Sequence, residues 1–266
     1  MNATLSALIK HQGQQGLFEA AVIPWSCPVL SFGDVSDAKV ATLGLNPSNR
    51  EFVDRWGNEL TGADRRFHTL GSLGIARWAD AASEHMALVG DSYRNYFSQN
   101  PYDTWFRQLD HILGETSASY YDDGRGACHL DLIPYATSCK WTDLSSRQRS
   151  LLFDAAGDTL WRLLLNSQIR FLVLNGNGVV THFQSISDVS LESQVMSDWT
   201  LYRRIQPDIP GVAYRGVVNR VVGVDLKRNL LVVGFNLNIQ SSFGVTREIR
   251  SSIREWIGQV AQQVLP

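Results

Sequence analysis

The chain has 266 residues, 44% of them apolar and 19% charged, with a formal net charge of −2. That composition supports a large buried core but supplies no global positive field, so a nucleic-acid role must rest on local features. No stretch approaches the roughly 20 apolar residues of a membrane-spanning helix, and Leu5-Ser6-Ala7-Leu8-Ile9 is too short for a secretory signal.

A cytoplasmic location with no membrane partner is therefore expected. Cys27, Cys128 and Cys139 are too few and too scattered for a disulfide framework or a metal cluster, and no cofactor is expected. Of the 24 basic residues only Lys10, Lys39, Lys140 and Lys227 are lysines; the rest carry the planar fork that suits phosphate recognition.

In chain order, Lys39–Leu45 reads as a first buried strand, ended by Asn46-Pro47. Arg50–Gln99 reads as a long inserted loop with short helices. Tyr102–Leu113 has helical spacing through Trp105, Phe106, Leu109, Ile112 and Leu113. A second strand, Ala127–Ile133, stops at Pro134, and Leu144–Leu165 reads as helix. The third strand, Ile169–Leu174, runs into Asn175-Gly176-Asn177-Gly178 at a helix start. Val212–Asp225 resembles a hairpin added at the sheet edge. The fourth strand, Leu230–Phe235, enters the polar run Asn236–Gly244, and a helix over Val245–Val264 closes the chain.

This alternation predicts a single α/β domain over residues 1–266: a central four-stranded, mostly parallel sheet flanked by helices, with a long inserted loop and an edge hairpin. In such sheets ligands bind beyond the carboxyl ends of the strands. The polar segments that follow the four strands are therefore expected to converge on one site.

Gly44-Leu45-Asn46-Pro47-Ser48 resembles the first active-site motif of the uracil-DNA glycosylase superfamily, in its Gly-x-Asn-Pro form. Other landmarks follow in order. Tyr96-Phe97-Ser98 stands where the family keeps a ring that stacks on the flipped base. His129-Leu130-Asp131-Leu132 stands where a family Asn reads the base edge, and Asn236–Ser242 stands at the second motif but lacks its usual His and Pro.

The resemblance implies a uracil-DNA glycosylase-like fold and a monofunctional DNA glycosylase that hydrolyses the N-glycosidic bond of a flipped base. It also implies catalytic roles for Asn46 and Asn238. Asn46 would orient the attacking water, and Asn238, in place of the missing His, would donate to the departing base. Phe97, Tyr96, Leu45 and Asp131 would line the base pocket. No lysine lies in the loops carrying Asn46 and Asn238, so an abasic site is the expected product.

Asp131 departs from the family pattern in a way that bears on substrate. An ionised carboxylate only accepts hydrogen bonds, which suits an exocyclic amine such as cytosine N4 and repels uracil O4. The expected substrate is a modified cytosine. Bacterial phage-restricting glycosylases acting on glucosylated hydroxymethylcytosine are the sub-branch this suggests, with an antiviral role.

Expected DNA contacts are Ser48, Arg65, Arg66, Gly176, Asn177, Gln240, Ser241 and Arg247, in a chain expected to be monomeric with DNA as its partner. Alternatives remain: Asn46 capping its own turn, Asp131 pairing inside the fold, a uracil or mismatch repair glycosylase, and a catalytically inactive DNA-binding module of the same fold. An α/β hydrolase using Asn175–Gly178 as a phosphate loop is a further rival, though it lacks a P-loop lysine.

Overall fold

A computed structural model describes residues 2–12, 15–100, 103–122, 126–221, 224–240 and 244–265. The α-helices are α1 (Asn2–Gln12), α2 (Gln15–Glu19), α3 (Leu70–Leu73), α4 (Ser83–Arg94), α5 (Tyr96–Gln99), α6 (Thr104–Leu113), α7 (Ser146–Ala156), α8 (Thr159–Leu165), α9 (Asn177–Ser187) and α10 (Arg247–Ala261). The strands are β1 (Val40–Gly44), β2 (Ala127–Asp131), β3 (Phe171–Asn175), β4 (Glu192–Leu201), β5 (Ile209–Val221) and β6 (Val224–Phe235). None of the described helices is long and apolar enough to cross a membrane.

The chain forms two compact units, each assembled from separate segments. The first comprises residues 1–34, 45–100 and 130–166, the second residues 35–44, 101–129 and 167–266.

The second unit is organised on a mixed sheet of order β2-β1-β3-β6-β5-β4. β1, β3 and β6 run parallel, with Val40 opposite Phe171 and Phe171 opposite Leu231, so their carboxyl ends at Gly44, Asn175 and Phe235 share one edge. β1 is buried along its whole length and β3 along all but Asn175, as strands of a sheet covered on both faces should be, and the one polar side chain of β1, Thr42, is hydrogen-bonded to His129 Nδ1 at 2.6 Å.

Among the described residues the sheet thus has six strands rather than four. The expected edge hairpin over 212–225 is not a separate appendage. β5 pairs antiparallel with β6, which continues unbroken into the fourth expected strand, and β4 pairs antiparallel beyond β5. β4 escapes a pattern reading because its residues face solvent from Glu192 to Val195. Its deepest anchor is Trp199, which packs edge-on to Trp256 of α10 at 5.5 Å and donates from Nε1 to Ser252 Oγ at 3.1 Å. Gly211 on β5 accommodates this anchor, since a Cβ there would lie 2.1 Å from Trp199 Cβ.

α6 begins at Thr104 because Asp103 caps it, accepting from the amides of Trp105 and Phe106; residue 102, the expected start, lies outside the described residues. α10 buries Ile249, Ile253, Ile257 and Val260 against α6 and β4.

In the first unit, Leu5, Leu8 and Ile9 form the buried apolar face of α1. Tyr135 OH, donating to Leu8 O at 3.2 Å, ties that helix down. The expected Leu144–Leu165 helix is two helices, because Gly157 ends α7 with φ 51° and ψ −127°, a conformation that glycine adopts most readily. The inserted stretch over residues 50–99 is built around an aromatic core. Phe67 stacks on Tyr96 at 5.1 Å, and Phe32 meets both rings edge-on at 5.3 and 4.8 Å.

Candidate functional site

Asn46 sits half-buried in the turn that follows β1, and Pro47 behind it is buried. The segment after β2 is laced to this turn: Ile133 N donates to Leu45 O at 2.9 Å and Asn49 Nδ2 to Ser138 O at 3.5 Å. Asn46 Nδ2 donates to Pro47 O at 3.2 Å, to Tyr135 O at 3.4 Å and to Thr137 Oγ1 at 3.1 Å. Thr137 passes the bond on, donating to Cys139 O at 2.8 Å.

Two carbonyl acceptors fix which amide atom is nitrogen and which is oxygen. Asn46 Oδ1 is thereby aimed away from them, and among the described residues it accepts no hydrogen bond. Leu45 is half-buried, and so is Asp131, which ends β2 just before the laced segment. The turn carrying Asn46 and the chain leaving Asp131 are thus joined within one unit.

Ser48 is a structural cap: its Oγ accepts from Arg50 N at 3.1 Å and opens the short 3-10 turn Asn49–Glu51. That turn buries Glu51, a group no spacing argument singled out. Glu51 accepts from Tyr96 OH at 2.8 Å and from Arg66 Nη1 at 3.3 Å. Tyr96 is wholly buried, with its ring stacked on Phe67, and Phe97 meets it edge-on at 5.2 Å and is only 5% exposed. The base-stacking expected of these two rings therefore needs surface that both have already committed to the core.

Arg65 and Arg66 are half-exposed and border a cavity of about 100 Å³ shared with His68, Ser92, Asn95 and Gln99. Burial, aided by the charge of Arg65, lowers the His68 pKa to about 4, so its imidazole is neutral at pH 7.

The second unit gathers an amide cluster where β3 and β6 end. Asn175 Nδ2 donates to Gln240 Oε1 at 3.2 Å, Gln240 N to Asn238 Oδ1 at 3.2 Å, and Asn177 N to Asn236 O at 3.2 Å. Asn236 in turn clamps β5, accepting from Val212 N at 2.8 Å and donating to Pro210 O at 2.9 Å. Asn175 Oδ1 and Gln240 Nε2 are buried without a partner among the described residues, an arrangement that costs about 1–3 kcal/mol per group.

Gly176 caps α9 from a buried position, while Asn177 and Asn238 are exposed. Ser241 lies outside the described residues. Arg247 is exposed at the start of α10 and lines a hollow with Asp198, Glu248 and Glu255. Three acidic residues lining the same hollow make it a poor setting for the phosphate contact expected there.

Among the described residues no cluster of His, Cys, Asp or Glu is arranged to hold a metal ion. Burial pushes the Cys27 thiol up to about 12, which keeps it protonated and inert. Comparison with protein-family models and with curated proteins finds no match to this chain.

Proposed function

We propose that the protein is a monofunctional DNA glycosylase that hydrolyses the N-glycosidic bond of a modified cytosine, with Asn46 orienting the attacking water and Asp131 reading the base. The observation that carries this reading is the fixed amide of Asn46. Three acceptors hold its Nδ2, which leaves Oδ1 pointed and available.

Glycosidic cleavage passes through an oxocarbenium-like sugar, so a water needs aiming more than deprotonating. An amide oxygen accepting one water hydrogen directs a lone pair without needing a base. Asp131 adds selectivity, because a carboxylate accepts from a cytosine amine and opposes the O4 of uracil. The hydrogen bonds between the Leu45–Asn49 turn and residues 133–139 support a joint role, since they hold the two groups' segments in fixed register. Glucosylated hydroxymethylcytosine is the substrate we favour, and defence against phage the setting.

The test is incubation with duplexes carrying uracil, cytosine or modified cytosines, followed by alkaline cleavage of abasic sites. Wild-type protein is expected to break strands only at a modified cytosine. Asn46→Ala is expected to lower the rate about 10²–10³-fold, the usual size of a lost oriented polar group. Unaltered breaks in Asn46→Ala would overturn its role.

Asp131→Asn, which can both donate and accept, is expected to shift cleavage toward uracil, and an unchanged preference would remove Asp131 from base reading. One observation favours a second reading, a DNA-binding module without chemistry: the same bonds that fix Asn46 also make it a brace for residues 135–137. Binding without breaks on every substrate, together with a lowered Tm in Asn46→Ala, is the result expected of that module.

A further inference from the structure

Directly after the 3-10 turn that follows Asn46, the chain makes a tight hairpin whose tip displays Trp56. Val53 and Glu59 bridge its base, and Leu60 N donates to Phe52 O at 2.9 Å. Asp54 organises the tip from inside: its Oδ1 accepts from Trp56 N at 2.8 Å and Asn58 N at 2.9 Å, and its Oδ2 from Asn58 Nδ2 at 3.1 Å. Arg50 donates to Asp54 O.

This well-braced turn leaves Trp56 71% exposed, with the Arg55 guanidinium carbon 4.0 Å from the ring centroid. Burying the indole inside its own unit would be favourable, since it removes apolar surface from water, yet the turn holds it in water. Both carboxylates of the hairpin already accept hydrogen bonds, Asp54 within the tip as above and Glu59 from Thr69 Oγ1 outside it. The Arg55 and Trp56 side chains are what the tip offers outward, a cation laid on a π-face.

We propose that this tip is a stacking platform for an unpaired base of a DNA strand, with Trp56 against the base and Arg55 on the adjacent phosphate. A nucleotide presents a flat π-face and an anion one sugar apart, and the tip presents their complements on adjacent residues. Because Asp54 already orders the turn, little conformational entropy remains to be lost on binding. The inference takes the identity of the strand as DNA from the glycosylase reading, and places the tip ten residues beyond Asn46 in the same unit.

The experiment measures fluorescence anisotropy of a labelled single-stranded DNA oligonucleotide across a salt series, using full-length wild type, Trp56→Ala, Trp56→Phe and Arg55→Ala. Trp56→Ala is expected to weaken binding about tenfold with the salt slope kept, as loss of one stacked base does. Trp56→Phe is expected to recover most of that loss. Arg55→Ala is expected to lower the slope of log affinity against log salt by about one, the signature of one phosphate contact.

All three variants should keep the wild-type Tm, since both side chains are exposed. Equal affinity in wild type and Trp56→Ala would overturn the platform, as would Trp56-dependent binding to vesicles of anionic lipid with none to the oligonucleotide. Trp56-dependent binding without base release would remove the glycosylase and leave the platform. Base release at the wild-type rate by Trp56→Ala, with unchanged affinity, would do the reverse.

Discussion

His68 illustrates how one buried side chain ties stability to pH. Its Nδ1 lies 3.0 Å from Ser72 Oγ, its residue is 9% exposed, and burial followed by the Arg65 charge lowers its pKa to about 4, against a weaker upward pull from Asp91. The unfolded chain binds the proton near pH 6.5, so between there and pH 4 the unfolded state carries more protons. Stability from this group is therefore complete above about pH 6.5, falls as pH is lowered, and is fully lost below about pH 4. The loss is expected to reach about 3 kcal/mol. Urea titrations at pH 7 and pH 4 check it: His68→Gln, which has no proton to gain, should lose less stability on acidification than wild type. Equal losses would place the acid sensitivity in other groups.

At the scale of elements, the parts legible in the sequence were those whose burial is uniform. β1 and β3 read correctly because a strand covered on both faces is a mostly apolar run. α6 and α10 read correctly because each buries one clean helical stripe. β4 was not legible, because an exposed edge strand obeys no apolar alternation and its anchor, Trp199, meets its partner Trp256 far along the chain. α1 was hidden for a related reason: its apolar face is only Leu5, Leu8 and Ile9, and it is held by Tyr135 OH bonding Leu8 O and by its own Gln12 reaching Ile23 O, pairings that no local pattern encodes. The candidate site divides the same way. The Asn46 turn announced itself through a strand stop and a proline, whereas the lacing to Tyr135 and Thr137 and the burial of Glu51 depend on pairings between distant segments.

Across the whole molecule, the strands differ in how many neighbours hold them, and this predicts where the backbone opens first. β3 is paired on both sides, to β1 and to β6, and Phe171 through Leu174 are wholly buried. Its amides cannot exchange unless the second unit's sheet comes apart, so they should report the global unfolding free energy, about 5–15 kcal/mol for a protein of ordinary stability. β4 has one described neighbour, β5, with a register irregularity between Met196 and Leu201 and solvent over Glu192–Val195. Local opening there costs only a few hydrogen bonds, so it should exchange orders of magnitude sooner. Hydrogen–deuterium exchange read by mass spectrometry is expected to show peptides over 192–196 labelled early and those over 171–175 labelled last. Equal protection of the two would mean that the free edge of β4 is covered in solution. An exposed strand edge invites such pairing, and repeating the exchange over a range of protein concentrations would show whether a second copy provides it.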